Sequence, residues 1–151
     1  IGGVVARAEI MDCLSANSIS TFGGNPVATV GARAVLDYLR EHDLQANAAA
    51  LGDRLLSGLR DISVAHPIVG DVRGKGLMVG VEFVEPGGTT PAPAAAARVL
   101  EETRARGLLV GKGGLHNNVI RLAPPMTLTG EELDEALGIL GDAIAEAGKD
   151  Y

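Results

Sequence analysis

Residues 68–84, Ile68-Val69-Gly70-Asp71-Val72-Arg73-Gly74-Lys75-Gly76-Leu77-Met78-Val79-Gly80-Val81-Glu82-Phe83-Val84, decide the fold. Two apolar runs rich in β-branched residues, 68–72 and 77–84, flank Arg73-Gly74-Lys75-Gly76, and the glycines make a tight antiparallel turn the natural connection. A lone hairpin is at best marginally stable in water, so the flanking sequence has to supply further strands and helical cover.

On the C-terminal side, residues 87–93 are turn-rich. Residues 94–106 are alanine-rich and helical, with Gly107 placed to stop the helix. Short strands are expected at 108–110 and 119–122, separated by a glycine-rich loop at 111–118, and Pro124-Pro125 ends the second. Thr129 with Glu132 three residues on is a capping-box signature. Behind it Leu133, Ala136, Leu137, Leu140, Ala143, Ile144 and Ala147 fill one face of a last helix.

On the N-terminal side, Pro67 punctuates a helix whose stripe is Ala48, Leu51, Leu55, Leu59 and Ile62. A break at His42 and Asp43 separates it from another helix, with Ala32, Val35, Leu36 and Leu39 at helical spacing, so a helical hairpin is expected. Asn25 suits its N-cap and Pro26 its first position, where a missing N–H costs nothing. A polar loop containing Ser15, Asn17, Ser18, Ser20 and Thr21 precedes it, and before that residues 3–6 read as a short β-run and 8–14 as about two turns of helix. The pattern is an α/β (α+β) fold in which helices pack on a small, mainly antiparallel sheet.

A chain of 151 residues is long enough for one core but not for two full domains. Apolar residues at 46% and charged ones at 21% describe a globular protein rather than a disordered one. The formal charge is -6 and the thirteen Lys and Arg are scattered, which argues against a nucleic-acid partner. No apolar run reaches the roughly 20 residues a bilayer requires, so no membrane role is expected. The single cysteine, Cys13, permits no internal disulfide, fits a reducing compartment, and points to the cytoplasm. The opening Ile1-Gly2-Gly3-Val4-Val5 is apolar, without an initiator Met or polar lead-in, and reads as a cut inside a larger protein.

Most candidate motifs fail on spacing. Gly74-Lys75-Gly76-Leu77-Met78-Val79-Gly80 has the wrong glycine spacing for a dinucleotide fingerprint and leads into a strand. Gly111-Lys112-Gly113-Gly114 lacks the Ser or Thr of a phosphate loop and reads as an exposed turn. His42, His66 and His116 have no companions at metal-ligand spacing. Two places carry more. In Ser20-Thr21-Phe22-Gly23-Gly24-Asn25-Pro26 two hydroxyls and glycine-exposed amides precede a helix N-terminus, which makes either an anion site or simply a capped loop. Arg121, inside the apolar strand Val119-Ile120-Arg121-Leu122, must either snorkel outward or meet an anion.

Together, residues 20–26, 69–78, 107–111 and 119–125 resemble, in order and spacing, the C-terminal third of class-III aminotransferases, which are fold-type-I pyridoxal-phosphate enzymes. The resemblance implies that residues 1–25 are a remnant of the cofactor-binding large domain and that 26–151 form the C-terminal small domain. It implies that Thr21, with Ser20 beside it, reaches the pyridoxal 5'-phosphate group of the partner subunit in a homodimer. It implies that Arg121 pairs with the substrate carboxylate through its bidentate fork. The substrates would be an amino acid and an oxo acid. The family's Schiff-base lysine lies upstream of the matched region. Lys75, Lys112 and Lys149 occupy positions where the family has no catalytic lysine, so no catalytic residue is expected in this chain and the fragment by itself should be inactive. The wording of 69–78 and 108–114 is nearest to the alanine–glyoxylate and 4-aminobutyrate branches. The rivals are a decarboxylase or aminomutase on the same scaffold and a non-catalytic binding module with the small-domain fold.

Overall fold

The computed structural model describes residues 1–16 and 19–151; Asn17 and Ser18 of the polar loop lie outside the described residues. These fall into two compact units, Ile1–Asp43 and Leu44–Tyr151.

The first unit holds α1 (Ala8–Met11) and α2 (Pro26–Glu41). The start of α2 is as its sequence dictates: Pro26 opens the helix and the Asn25 side chain accepts a hydrogen bond from the Ala28 N–H at 2.9 Å. Two expectations are corrected here. Residues 3–6 form no strand, since an extended run with no neighbour to pair with has nothing to hold it in a ladder. The helix expected over 8–14 is a single turn ending at Met11, because so short a segment closes few hydrogen bonds for the entropy it loses.

The second unit contains α3 (Leu44–Ala65), β1 (Val69–Lys75), β2 (Met78–Phe83), α4 (Pro93–Ala105), β3 (Gly111–Gly113), β4 (Val119–Leu122), α5 (Gly130–Ala147) and a closing 3-10 turn (Gly148–Asp150). The helices expected before and after His42 are therefore present as α2 and α3, one in each unit. The four strands form one antiparallel sheet in the order β1-β2-β4-β3, in line with the expected α+β architecture.

Alternation divides the sheet into two faces. Val79, Val81 and Phe83 of β2 are buried while Met78 is exposed and Gly80 and Glu82 are half-buried. Ile120 sits opposite Val81 on the buried side. On that face α3 supplies Leu51, Leu55 and Leu59 and α4 supplies Ala95, Ala96 and Val99, and α5 packs against both helices with Leu133, Leu140, Ala143 and Ile144. Each such Leu, Ile or Phe contributes on the order of 1.5–3 kcal/mol by leaving water. Thr103, fully buried in α4, satisfies its hydroxyl by donating to the Leu100 carbonyl at 3.0 Å.

The hairpin turn is tighter than the sequence suggested. Lys75 pairs with Met78, so Arg73 to Lys75 belong to β1 and only Gly76-Leu77 lie between the strands, Gly76 at φ +54°. Gly76 also abuts α3, where a Cβ on Gly52 would stand 2.4 Å from the Gly76 carbonyl carbon. The strand expected at 108–110 is displaced, and the supposed exposed turn at Gly111-Lys112-Gly113 is itself β3. The ladder to β4 pairs Gly111 with Arg121 and Gly113 with Val119. Pairing is set by backbone groups, which glycine carries as well as valine does, while Leu108 and Val110 pack against the core without joining the ladder. The capping box at Thr129 and Glu132 is formed as expected. Among the described residues no helix is long and apolar enough to cross a membrane.

Candidate functional site

The face of the sheet turned away from the helices carries the charge. Register aligns Arg73, Gly80, Arg121 and Gly111 in one row across all four strands. The adjacent row is Asp71, Glu82, Val119 and Gly113. Arg121 is outward because Ile120 is inward, so its charge is solvated and the cost of burying a guanidinium never arises. Of the two possibilities left by the sequence, Arg121 takes the outward one, and it is thereby available to an anion.

Glycine shapes its surroundings. A Cβ on Gly113 would lie 3.7 Å from Arg121 Cδ and one on Gly111 3.9 Å from Arg121 Nε, so the arginine stem lies over β3 where no side chains stand. An open groove of about 1130 Å³ includes Arg73, Gly80, Gly111, Arg121, Pro124 and Pro125 in its lining. That is large enough for a small molecule.

The second arginine of the row behaves differently. Arg73 Nη1 donates to Asp71 Oδ2 and to Glu82 Oε2, each at 2.6 Å. Buried Asn118 donates from Nδ2 to the Phe83 carbonyl at 2.9 Å and to Glu82 Oε1 at 3.3 Å. The Arg73 guanidinium, and secondarily the Asn118 amide, hold the Glu82 carboxyl below its ordinary range. Asp71 and then Glu82 raise Arg73 in turn. Arg121 makes no ion pair or side-chain hydrogen bond among the described residues, whereas Arg73 bonds two carboxylates through Nη1.

Sequence reasoning missed this cluster. Asp71 and Arg73 share a face by simple alternation, a signal that was legible. Their placement on the outer face was not, because a bulge between Val69 and Asp71 resets the phase of β1. Gly70 permits it: a Cβ there would stand 2.7 Å from Val84 Cγ1.

In the first unit, Ser20 and Thr21 enter a turn whose backbone donors are partly consumed. The Gly23 N–H donates to the Ser20 carbonyl at 3.1 Å and the Asn25 N–H to the Phe22 carbonyl at 3.4 Å. Pro26 offers no N–H and Asn25 occupies that of Ala28, so the first turn of α2 has little left for an anion. Both hydroxyls are exposed and unengaged among the described residues, and they are the donors this loop offers.

Residues 1–144 match the class-III aminotransferase family, and the chain belongs to it. The 5-aminovalerate aminotransferase DavT of Pseudomonas putida is 38% identical over 147 residues, 97% of this chain and 35% of that protein. The alanine/serine racemase of Pyrococcus horikoshii is 38% identical over 146 residues, 97% of this chain and 31% of that protein. Among solved structures, a phospholyase from Arthrobacter in complex with phosphoethanolamine superposes with a TM-score of 0.84 at 37% identity, covering 91% of this chain and 33% of that one. The chain thus spans about a third of the length of the relatives it matches.

Proposed function

We propose that this chain is the C-terminal part of a homodimeric, cytoplasmic, pyridoxal-phosphate-dependent aminotransferase that moves an amino group from an amino acid to an oxo acid. The observation that carries this reading is Arg121, a guanidinium unpaired among the described residues, on an accessible sheet face within a groove, in a chain of the class-III family. Residues 1–25 are assigned to the cofactor-binding large domain and 26–151 to the small domain. Arg121 binds the substrate carboxylate with two parallel N–H donors, fixing its orientation and leaving the amine end directed to the reacting centre.

The exposed hydroxyls of Ser20 and Thr21 suit phosphate oxygens, and they are assigned to the cofactor phosphate of the partner subunit. Bound pyridoxal phosphate supplies an aldehyde that captures the amine and a ring that accepts electrons as the neighbouring proton leaves. The lysine that anchors it and shuttles the proton belongs to the part of the protein upstream of this chain, so this segment contributes binding and orientation and no proton-transfer group.

The test uses the whole protein, with amino donors and oxo-acid acceptors screened for oxo-acid release. Arg121→Ala should raise KM for the donor by about tenfold or more, the loss expected for a charge-assisted hydrogen-bonded pair. Absence of amino transfer, or an unchanged KM in Arg121→Ala, sinks the reading. The matches to a racemase and a phospholyase favour one alternative, a different fate for the amino substrate on the same scaffold. Appearance of the opposite enantiomer, or release of phosphate from an amino phosphate ester, in place of the oxo acid would establish it.

A further inference from the structure

Glu82 is the nearest threat to a free Arg121. The two residues share the outer face on adjacent strands, Glu82 opposite Val119 and Arg121 opposite Gly80, which makes them diagonal neighbours. Diagonal positions have Cα atoms about 7–8 Å apart, within the combined reach of a glutamate and an arginine. Such a pair would occupy the guanidinium with an internal carboxylate and oppose binding of an external one. In the structure both carboxylate oxygens of Glu82 are held elsewhere, Oε2 by Arg73 Nη1 at 2.6 Å and Oε1 by Asn118 Nδ2 at 3.3 Å. Arg121 leans the opposite way, over Gly111 and Gly113 of β3.

From this geometry we infer that Arg73, assisted by Asn118, is a positioning residue that restrains Glu82 and so keeps Arg121 free to receive the substrate carboxylate. The inference rests on the reading of Arg121 given above and adds the reason its charge stays unpaired on a face that also carries two carboxylates. Asp71 accepts from the same Arg73 Nη1 and, two strands removed from β4, does not compete for Arg121. Released from Arg73, Glu82 loses its strongest partner and finds Arg121 one row away on its face, nearer in register than Lys75, which lies two rows along on β1.

The experiment is a rescue on the whole holoenzyme. KM for the amino donor and the inhibition constant of valerate, an unreactive monocarboxylate, are measured for wild type, Arg73→Met, Arg73→Met/Glu82→Gln and Arg121→Lys. Arg73→Met should weaken both constants about fivefold with a smaller change in kcat, a magnitude set by competition from one solvent-exposed ion pair. Glu82→Gln in that background should restore valerate binding to within about twofold of wild type, because the neutral amide cannot form an ion pair with the guanidinium. If Arg73→Met does not accumulate as folded protein, Arg73→Gln, which keeps a polar side chain but no charge, is taken through the same comparison. Unchanged valerate binding in the Arg73 variant, or a double variant as weak as the single, overturns the inference. An Arg121→Lys enzyme that binds donor and valerate normally instead overturns the assignment of Arg121 itself, so the two failures are distinguishable.

Discussion

Gly52→Ala should destabilise the protein even though it replaces a helix-interior glycine with the best helix former. In an open helical position this exchange gains about 1 kcal/mol. At Gly52, however, the new Cβ meets the carbonyl carbon and oxygen of Gly76 at 2.4 Å and its Cα at 2.5 Å, about 1 Å inside the closest ordinary contact. Those atoms are backbone of the two-residue hairpin turn and have no rotamer by which to escape. Overpacking costs about 1–3 kcal/mol and sits at the upper end where neighbours cannot yield, so the net loss after the helical gain is about 2 kcal/mol. In a domain of this size that lowers the melting temperature by on the order of 10 °C. The matched control is Gly138→Ala in α5, where a Cβ meets nothing within 4 Å and the helical gain should appear undiminished. Urea and thermal unfolding of both variants measure the difference. A Gly52→Ala protein as stable as wild type would refute the packing of α3 onto the hairpin that carries Arg73 and Glu82.

Asn118→Ala removes the side-chain donor that latches the start of β4 to Phe83 and Glu82; the Phe83 carbonyl keeps the Ala92 N–H, so the loss should be about 1–2 kcal/mol, read from the urea midpoint at constant slope. The Glu132 carboxyl is lowered below its ordinary 4.5 first by the Thr129 backbone N–H and then by the Thr129 hydroxyl. A depressed folded-state value means that its contribution is complete above 4.5 and is lost as pH falls through the lower folded-state value. Glu132→Gln should therefore be less stable than wild type near neutrality and lose less on acidification. Unfolding midpoints followed from pH 7 downward would contradict the capping box if the two proteins kept a constant separation.

Much of the architecture was readable in the chain because it depends on local chemistry. Helix α2 begins at Asn25-Pro26 and α5 at Thr129 since the capping atoms lie within three residues of the amides they satisfy. The stripe of α3 and the alternation of β2 are periodic signals that survive any tertiary arrangement. Arg121 was singled out by the same logic, as a charge in an apolar strand. Tertiary structure alone decided which backbone segment pairs with which. β4 chose Gly111–Gly113 over the more apolar Leu108–Val110 because the ladder counts backbone donors and acceptors, to which hydrophobicity is no guide. The bulge at Gly70 shifted β1 by one residue and turned Asp71 and Arg73 to the side of Arg121, and a period of two makes any such shift exchange the faces completely. The chain itself thus singled out Arg121 as a charge in an apolar strand, while the hold on Glu82 arises from contacts between residues 9 and 36 positions apart, which no local pattern encodes.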